Sequence, residues 1–308
     1  MRSQPESVDL IHEHFPDLVV TQVRVLPHIG WGGESDALLI NDRYIFLFPR
    51  WPETARALAV DVCLLPKLAP RVALPIPSFQ YIAYDQAAGM PLLVGYPAIP
   101  GQPLTPTLFQ AIATDELTLE RTASQLGAFL SGLHTCPLEL ARQCGVPWPP
   151  LSPVELVTRQ YERLRSQVYP LLLADECHFL DRLFTSSLAD LKHVEWSPTL
   201  CHGDLTSDHI LTDSSGAGHI TGIIDFGDVC VGDPAGDFVW RLEYGDDFFR
   251  RVLASYHAPV GDLEAFARRV TYRARLMPTV EIAYGLETNN AAYVEEGRRS
   301  LRAHMNRD

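Results

Sequence analysis

Asp204, His209 and Asp225 are the residues of this chain whose types and spacing suit the handling of a phosphoryl group. His202-Gly203-Asp204 opens a loop, His209 follows Asp204 by five residues, and Asp225-Phe226-Gly227-Asp228 ends the next apolar run. In phosphoryl transfer one carboxylate orients the attacking hydroxyl, while an oxygen and a nitrogen ligand hold a divalent metal on the phosphates. The intervening residues suggest how the three could meet. Ile210-Leu211, the turn-rich Asp213-Ser214-Ser215-Gly216-Ala217-Gly218 and the run Ile220 to Ile224 read as a hairpin. Such a hairpin would deliver all three side chains to one end of a small sheet. A plainer reading makes the two acidic clusters loop caps and Asp225-Phe226-Gly227 a turn. A lone Asp-Phe-Gly would favour that reading; both halves in this order do not.

Composition narrows the classes available. The chain has 308 residues, 46% of them hydrophobic and 20% charged, enough for a large core or two lobes. The first residues lack an apolar signal core, and no apolar run approaches the length of a membrane span, so a cytoplasmic protein is expected. Six cysteines show neither CxxC spacing nor a small-scaffold framework, and most are expected to be reduced core thiols. The formal net charge of −13 comes without a basic face, which argues against nucleic acid as a partner. The same acidity suits long-range steering of a cationic substrate.

The elements that must position the site are legible in outline. Val19 to Leu26, Ala37 to Ile40 and Tyr44 to Phe48 predict a three-stranded meander, and the glycine-rich turn His28 to Asp36 lies between its first two strands. Glycine lets a backbone approach phosphates closely and frees its N–H groups. Pro52 to Leu68 predicts a helix, with Pro52 in its first turn and Glu53 at its positive end. Ser78 to Tyr84 and Leu92 to Tyr96 read as further strands, and the proline-dense Pro97 to Leu104 as a linker. Thr118 to His134 has the apolar spacing of an amphipathic helix, on which His134 is expected to be structural. Trp148-Pro149-Pro150 could rim a substrate pocket, and helices are expected from Pro153 to Leu173, from Cys177 to Leu191 and through most of the chain beyond Asp233. Asp237 is expected to bind the backbone of the Asp204 loop.

His-Gly-Asp with its five-residue step to His209, then Ile224-Asp225-Phe226-Gly227-Asp228 and Gly232-Asp233-Pro234, resembles the aminoglycoside phosphotransferase family. The likeness is greatest to its 2″-phosphotransferase branch, where histidine occupies the second metal position. The order also follows the protein-kinase pattern H-R-D-x-x-x-x-N then D-F-G, with Gly203 for arginine and His209 for asparagine. The resemblance runs from about Val23 to the C-terminal helices. It implies an α+β, two-lobed protein-kinase-like fold. Residues 1–95 would form a β-rich nucleotide-binding lobe, 96–104 a hinge, and 105–308 a larger helical lobe for catalysis and acceptor binding. Asp204 would align the acceptor hydroxyl and accept its proton, with His209 and Asp225 binding Mg²⁺ and ATP or GTP as phosphate donor.

The resemblance also implies roles for weaker motifs. Gly30, Trp31, Gly32, Gly33 and Ser35 would line a flap over the nucleotide. Tyr96 and Ala98 would meet its base, with Ala98 the donor because Pro97 has no N–H. The family's phosphate-binding basic residue falls on Leu47, and its glutamate partner on Asp61, one methylene shorter. Arg50 is the cation placed to compensate. Glu243, Glu281, Tyr284 and Glu287 lie where the family holds cationic acceptors. The expected partner is a small-molecule hydroxyl acceptor, a cationic aminoglycoside, met by a monomer that binds neither nucleic acid nor membrane. Macrolides, choline, homoserine and sugars are alternative acceptors. Leu47 and Asp61 leave open a nucleotide-binding pseudokinase.

Overall fold

In a computed structural model, residues 4–26, 35–148, 151–191, 197–213 and 218–306 are described. Helix α1 (Gln4–His14) leads into strands β1 (Val23–Val25), β2 (Ser35–Ile40) and β3 (Tyr44–Pro49), followed by helix α2 (Pro52–Leu68). Strands β4 (Tyr81–Tyr84) and β5 (Pro91–Pro97) complete an antiparallel sheet of order β1-β2-β3-β5-β4. The two-residue period of a strand explains how this sheet divides its labour. Tyr44, Phe46 and Phe48 are buried on one face with Leu38, Ile40 and Ile11 of α1. Ile45 and Leu47, on the alternate face, line a cleft together with Ala37 of β2 and Thr54, Leu58 and Asp61 of α2.

Below the sheet, β6 (Gln102–Pro103) is followed by α3 (Pro106–Ile112), α4 (Glu116–His134) and α5 (Leu138–Gln143). Then come α6 (Pro153–Gln167), α7 (Ala174–Leu191), β7 (Thr199–Cys201), β8 (Ile210–Thr212), β9 (Ile220–Ile223) and β10 (Cys230–Gly232). Helices α8 (Arg241–Ala254), α9 (Leu263–Glu287) and α10 (Ala291–Met305) finish the fold. One core, built from α4, α8 and the short strands, also receives Leu64, Leu65 and Leu68 of α2, so that helix is anchored below while Asp61 faces the cleft. A second core joins α6, α7, α9 and α10 through Phe179, Phe184, Leu276 and Leu301.

The predicted hairpin is present as β8 paired with β9, and the linker contributes β6 to the same sheet through Gln102↔Thr212 and Pro103↔Leu211. Two helices, α3 and α5, escape the sequence reading; both are short, and a short apolar run carries too little periodicity to be distinguished. The expectation that most of the six cysteines are free holds for four of them. Cys136, Cys177, Cys201 and Cys230 are free thiols, whereas Cys63 of α2 and Cys144 at the end of α5 form a disulfide. Their separation of 81 residues carries no local spacing signal.

Candidate active site

Strand β7 delivers His202-Gly203-Asp204, and the turn made there needs glycine. Gly203 has φ +88°, and a Cβ on it would sit 2.0 Å from the Asp228 carbonyl oxygen. His202 is fully buried. Its Nε2–H donates to the Ile224 carbonyl at 3.0 Å, which leaves Nδ1 to accept from the Asp204 N–H at 3.3 Å. Burial pushes this imidazole down to about 4, against the pull of Asp237, so it is neutral at physiological pH and ties the loop to the β9 end.

Asp237 holds the loop from the other side. It accepts from the His202 N–H at 2.7 Å, the Gly203 N–H at 3.0 Å and His134 Nε2 at 3.0 Å. His134 Nδ1 meets the Tyr256 hydroxyl at 2.7 Å, so α4, the loop and the turn Pro234–Phe238 form one network. Burial alone would raise the Asp237 carboxyl, but these donors hold it below the ordinary carboxylate range. His134 and Asp237 are thus structural, as their sequence context suggests. The link between them was not legible.

His209 and Asp225 converge through strand register. Ile210 pairs with Ile223, and the Ile224 N–H donates to the His209 carbonyl at 3.0 Å, so Asp225 emerges beside the imidazole. His209 Nδ1 lies 2.6 Å from the Asp204 carbonyl oxygen, which can only accept, so the proton is on Nδ1. Nε2 then turns a lone pair toward Asp225 Oδ2, 3.5 Å away. Two acceptors facing one another fit a bound cation, and the Nδ1–H···O=C bond is the usual second anchor of a metal-binding histidine. Asp225 holds φ +65°, uncommon for a residue with a side chain, and that conformation turns its carboxylate out, 59% exposed. Asp204 Oδ2 stands 3.5 Å from His209 Nδ1. Burial raises its carboxyl to about 6; His209 opposes the rise, and Asp228, Asp225 and Asp237 add to it.

These groups border one cleft of about 390 Å³ between the sheet and the helical region, a volume within the range of small-molecule sites. Ser35, Asp61, Tyr96 and Ala98 line it with Asp204, His209 and Asp225. Gly30, Trp31, Gly32 and Gly33 lie outside the described residues. Two sequence expectations fail. Arg50 shares the Phe48 face, away from the cleft, where its guanidinium bonds Asp36; Nε to Oδ1 is 2.8 Å. Ala98 reaches the cleft, but its N–H donates to the Arg43 carbonyl at 2.8 Å, continuing the β3–β5 ladder, and so is not available to a base. Asp228, Ile99, Phe79 and Ile224 also line the cleft and were not assigned from sequence. Apolar walls give no local signal, and Asp228 was visible only as the end of its motif.

The four acceptor candidates do not share one environment. Glu281 is raised to about 7 by burial, with Glu296 and Glu243 reinforcing the rise, so α8, α9 and α10 bring acids together there. Tyr284 packs edge-on to Tyr293. Glu287 is paired with Arg163 of α6, both side chains half exposed. Trp148 lines a second cavity of about 1010 Å³ that reaches Gly203 and Asp237 between β7–β10 and helices α6, α7 and α9.

A sheet-based lobe over a helical lobe, with an aspartate, a histidine and a second aspartate at their junction, defines a kinase-like phosphotransferase fold. A model of the phosphotransferase enzyme family (APH) matches residues 26–271, and the chain belongs to that family. Among solved structures, the GDP and kanamycin complex of APH(2″)-IIIa superposes with a TM-score of 0.88 and 29% identity, covering 99% of this chain and 100% of that one. The apoenzyme of macrolide 2′-phosphotransferase MphH from Brachybacterium faecium shares the fold, with a TM-score of 0.73, 23% identity, and 96% and 97% of the two chains covered. Viomycin phosphotransferase of Streptomyces vinaceus is 28% identical over 159 residues, 51% of this chain and 52% of its own length. That match therefore spans about half of the relative.

Proposed function

We propose that the chain transfers the γ-phosphate of ATP or GTP to a hydroxyl of a small molecule, and that the acceptor is an aminoglycoside. The observation that carries this reading is the meeting of Asp204, His209 and Asp225 at one cleft. Asp204 orients the hydroxyl and takes its proton; a carboxyl near 6 is ionised at neutral pH yet basic enough to help. His209 and Asp225 would hold Mg²⁺, which when bound neutralises charge on the phosphates. Tyr96 and the neighbouring hinge backbone on this reading meet the base, and Ser35 lies on the phosphate side of the cleft. On this reading residues 1–95 bind the nucleotide, 96–104 hinge the lobes, and 105–308 supply catalysis and acceptor binding.

The aminoglycoside reading is supported by the relative crystallised with kanamycin and GDP, and by the acids gathered around Glu243 and Glu281. The test is a ³¹P NMR transfer assay with ATP and GTP over kanamycin, viomycin, a macrolide and choline. Phosphorylation of kanamycin in preference to the other three acceptors is expected, and reaction of viomycin, the macrolide or choline without kanamycin overturns the acceptor assignment. In the same assay Asp204→Asn should lower turnover by about three orders of magnitude, with nucleotide binding kept. A variant with near-normal turnover removes Asp204 from the proton-accepting role.

A further inference from the structure

Lys67, near the end of α2, aims its ammonium at the Cys63–Cys144 bridge. Nζ donates to the Cys63 carbonyl at 2.6 Å and lies 3.1 Å from Cys63 Sγ and 3.4 Å from Cys144 Sγ. An ammonium has three N–H donors, and these contacts engage all of them. The arrangement is lopsided between the two redox states. A disulfide sulfur is a weak, uncharged acceptor, so the cation gains little from it. A thiolate in the same place would be charge-paired with a half-buried, poorly screened amine. The contact is therefore worth more once the bridge is open, and it stabilises the thiolate that leaves when the bond is attacked.

The position of the bridge gives this chemistry a consequence. Cys63 is only partly buried, and Gln143 and Gly145 on either side of Cys144 are exposed, so the bridge lies at the edge of the lower core. It ties α2 to α5, and the turns of α2 before Cys63 line the cleft with Thr54, Leu58 and Asp61. Leu64 and Leu68 keep the end of α2 in the lower core whatever the state of the bridge. Opening the bond thus loosens the helix without releasing it.

We propose that Cys63–Cys144 is a reversible thiol–disulfide exchange site, tuned by Lys67, through which a low-molecular-weight monothiol adjusts binding in the cleft. The thiolate of that monothiol attacks one sulfur. A mixed disulfide forms as the Cys63–Cys144 bond breaks, and the other cysteine leaves as a thiolate beside Lys67. A second monothiol releases the mixed disulfide. Two electrons have then passed to the bridge, one external disulfide has formed, and the two thiol protons end on the cysteines or in solvent. The link to nucleotide rests on the phosphotransferase reading of the cleft; the exchange chemistry does not.

The test equilibrates the intact chain in glutathione buffers of set reduced-to-oxidised ratio. Free thiols are trapped by alkylation and assigned by mass spectrometry, which separates Cys63 and Cys144 from the four free cysteines. The bridge should open and re-form within that range in folded protein. Lys67→Met should lower the equilibrium constant for reduction about tenfold, a shift of about 30 mV. Lys67→Arg, which keeps a cation, should restore much of it, and circular dichroism checks that both variants are folded. A bridge that stays closed in excess reduced glutathione, or that opens at the same ratio in wild type and Lys67→Met, overturns the proposal. In the reduced state the α2 amides from Thr54 to Asp61 should exchange hydrogen faster, and calorimetry should show about fivefold weaker binding of a non-hydrolysable GTP or ATP analogue. Cys144→Ser, permanently open, should match the reduced wild type in both. Equal affinity in the two states overturns the link to the cleft. Should no analogue bind in either state, the donor reading fails, and the thiol titration and α2 exchange still decide the proposal.

Discussion

At the scale of single residues, the site is set by protons and by one missing Cβ. Because the Asp204 carboxyl is raised to about 6, mainly by burial, the group is protonated below that pH and could not there fill its proposed role as acceptor of the hydroxyl proton. The pH profile of kcat/KM, which reports the free enzyme, should therefore fall on the acid side with a midpoint near 6 and level off above it. A profile flat down to pH 5 would contradict the assignment. Gly203→Ala tests the loop. Its left-handed conformation costs a side chain roughly 1–2 kcal/mol, and the Asp228 carbonyl at 2.0 Å leaves the new methyl no room. Loss of at least a hundredfold in turnover, or of the soluble fold, is expected in purified protein. Asp204, His209 and Asp225 were legible because their spacing within two motifs is itself the signal. Ala98 was misjudged because the direction of its N–H depends on the neighbouring strand, whereas the alternation that puts Arg50 on the Phe48 face was readable along β3.

At the scale of elements, the decisive piece is the turn after β10 that carries Asp237. Its carboxylate satisfies two backbone N–H groups of the Asp204 loop and meets His134 of α4. Removing one partner of such a buried, hydrogen-bonded set costs about 3–5 kcal/mol. Asp237→Ala should accordingly destabilise the chain by that amount in urea unfolding, and a change below 1 kcal/mol would show that the loop is held by other contacts. Helix α2 was readable to its ends, since Pro52 and Glu53 mark its start and apolar spacing carries it to Leu68. What the helix does was less readable. Leu64 and Leu68 go to the lower core while Asp61 looks into the cleft, and only the packing partners separate those faces.

At the scale of the whole molecule, Cys63 and Cys144 join α2 to the region below it across 81 residues. A crosslink closing a loop of that order contributes about 2–4 kcal/mol, chiefly by restricting the unfolded chain. Unfolding in urea with and without a thiol reductant should show a loss of this size in the wild type and none in a Cys63→Ser, Cys144→Ser double variant. Equal stability in the two conditions would show that the bridge does not contribute. Among the described residues, no helix is long and apolar enough to cross a membrane.

The amino-acid sequence alone determined the chemistry available and the fold that carries it, because motif spacing, strand alternation and helix signals are local properties of the chain. Tertiary structure alone decided which donors are already engaged, which cysteines meet and which carboxylates share a cleft. Those outcomes depend on approaches between segments far apart in the chain, where burial removes the water that would otherwise screen or satisfy each group.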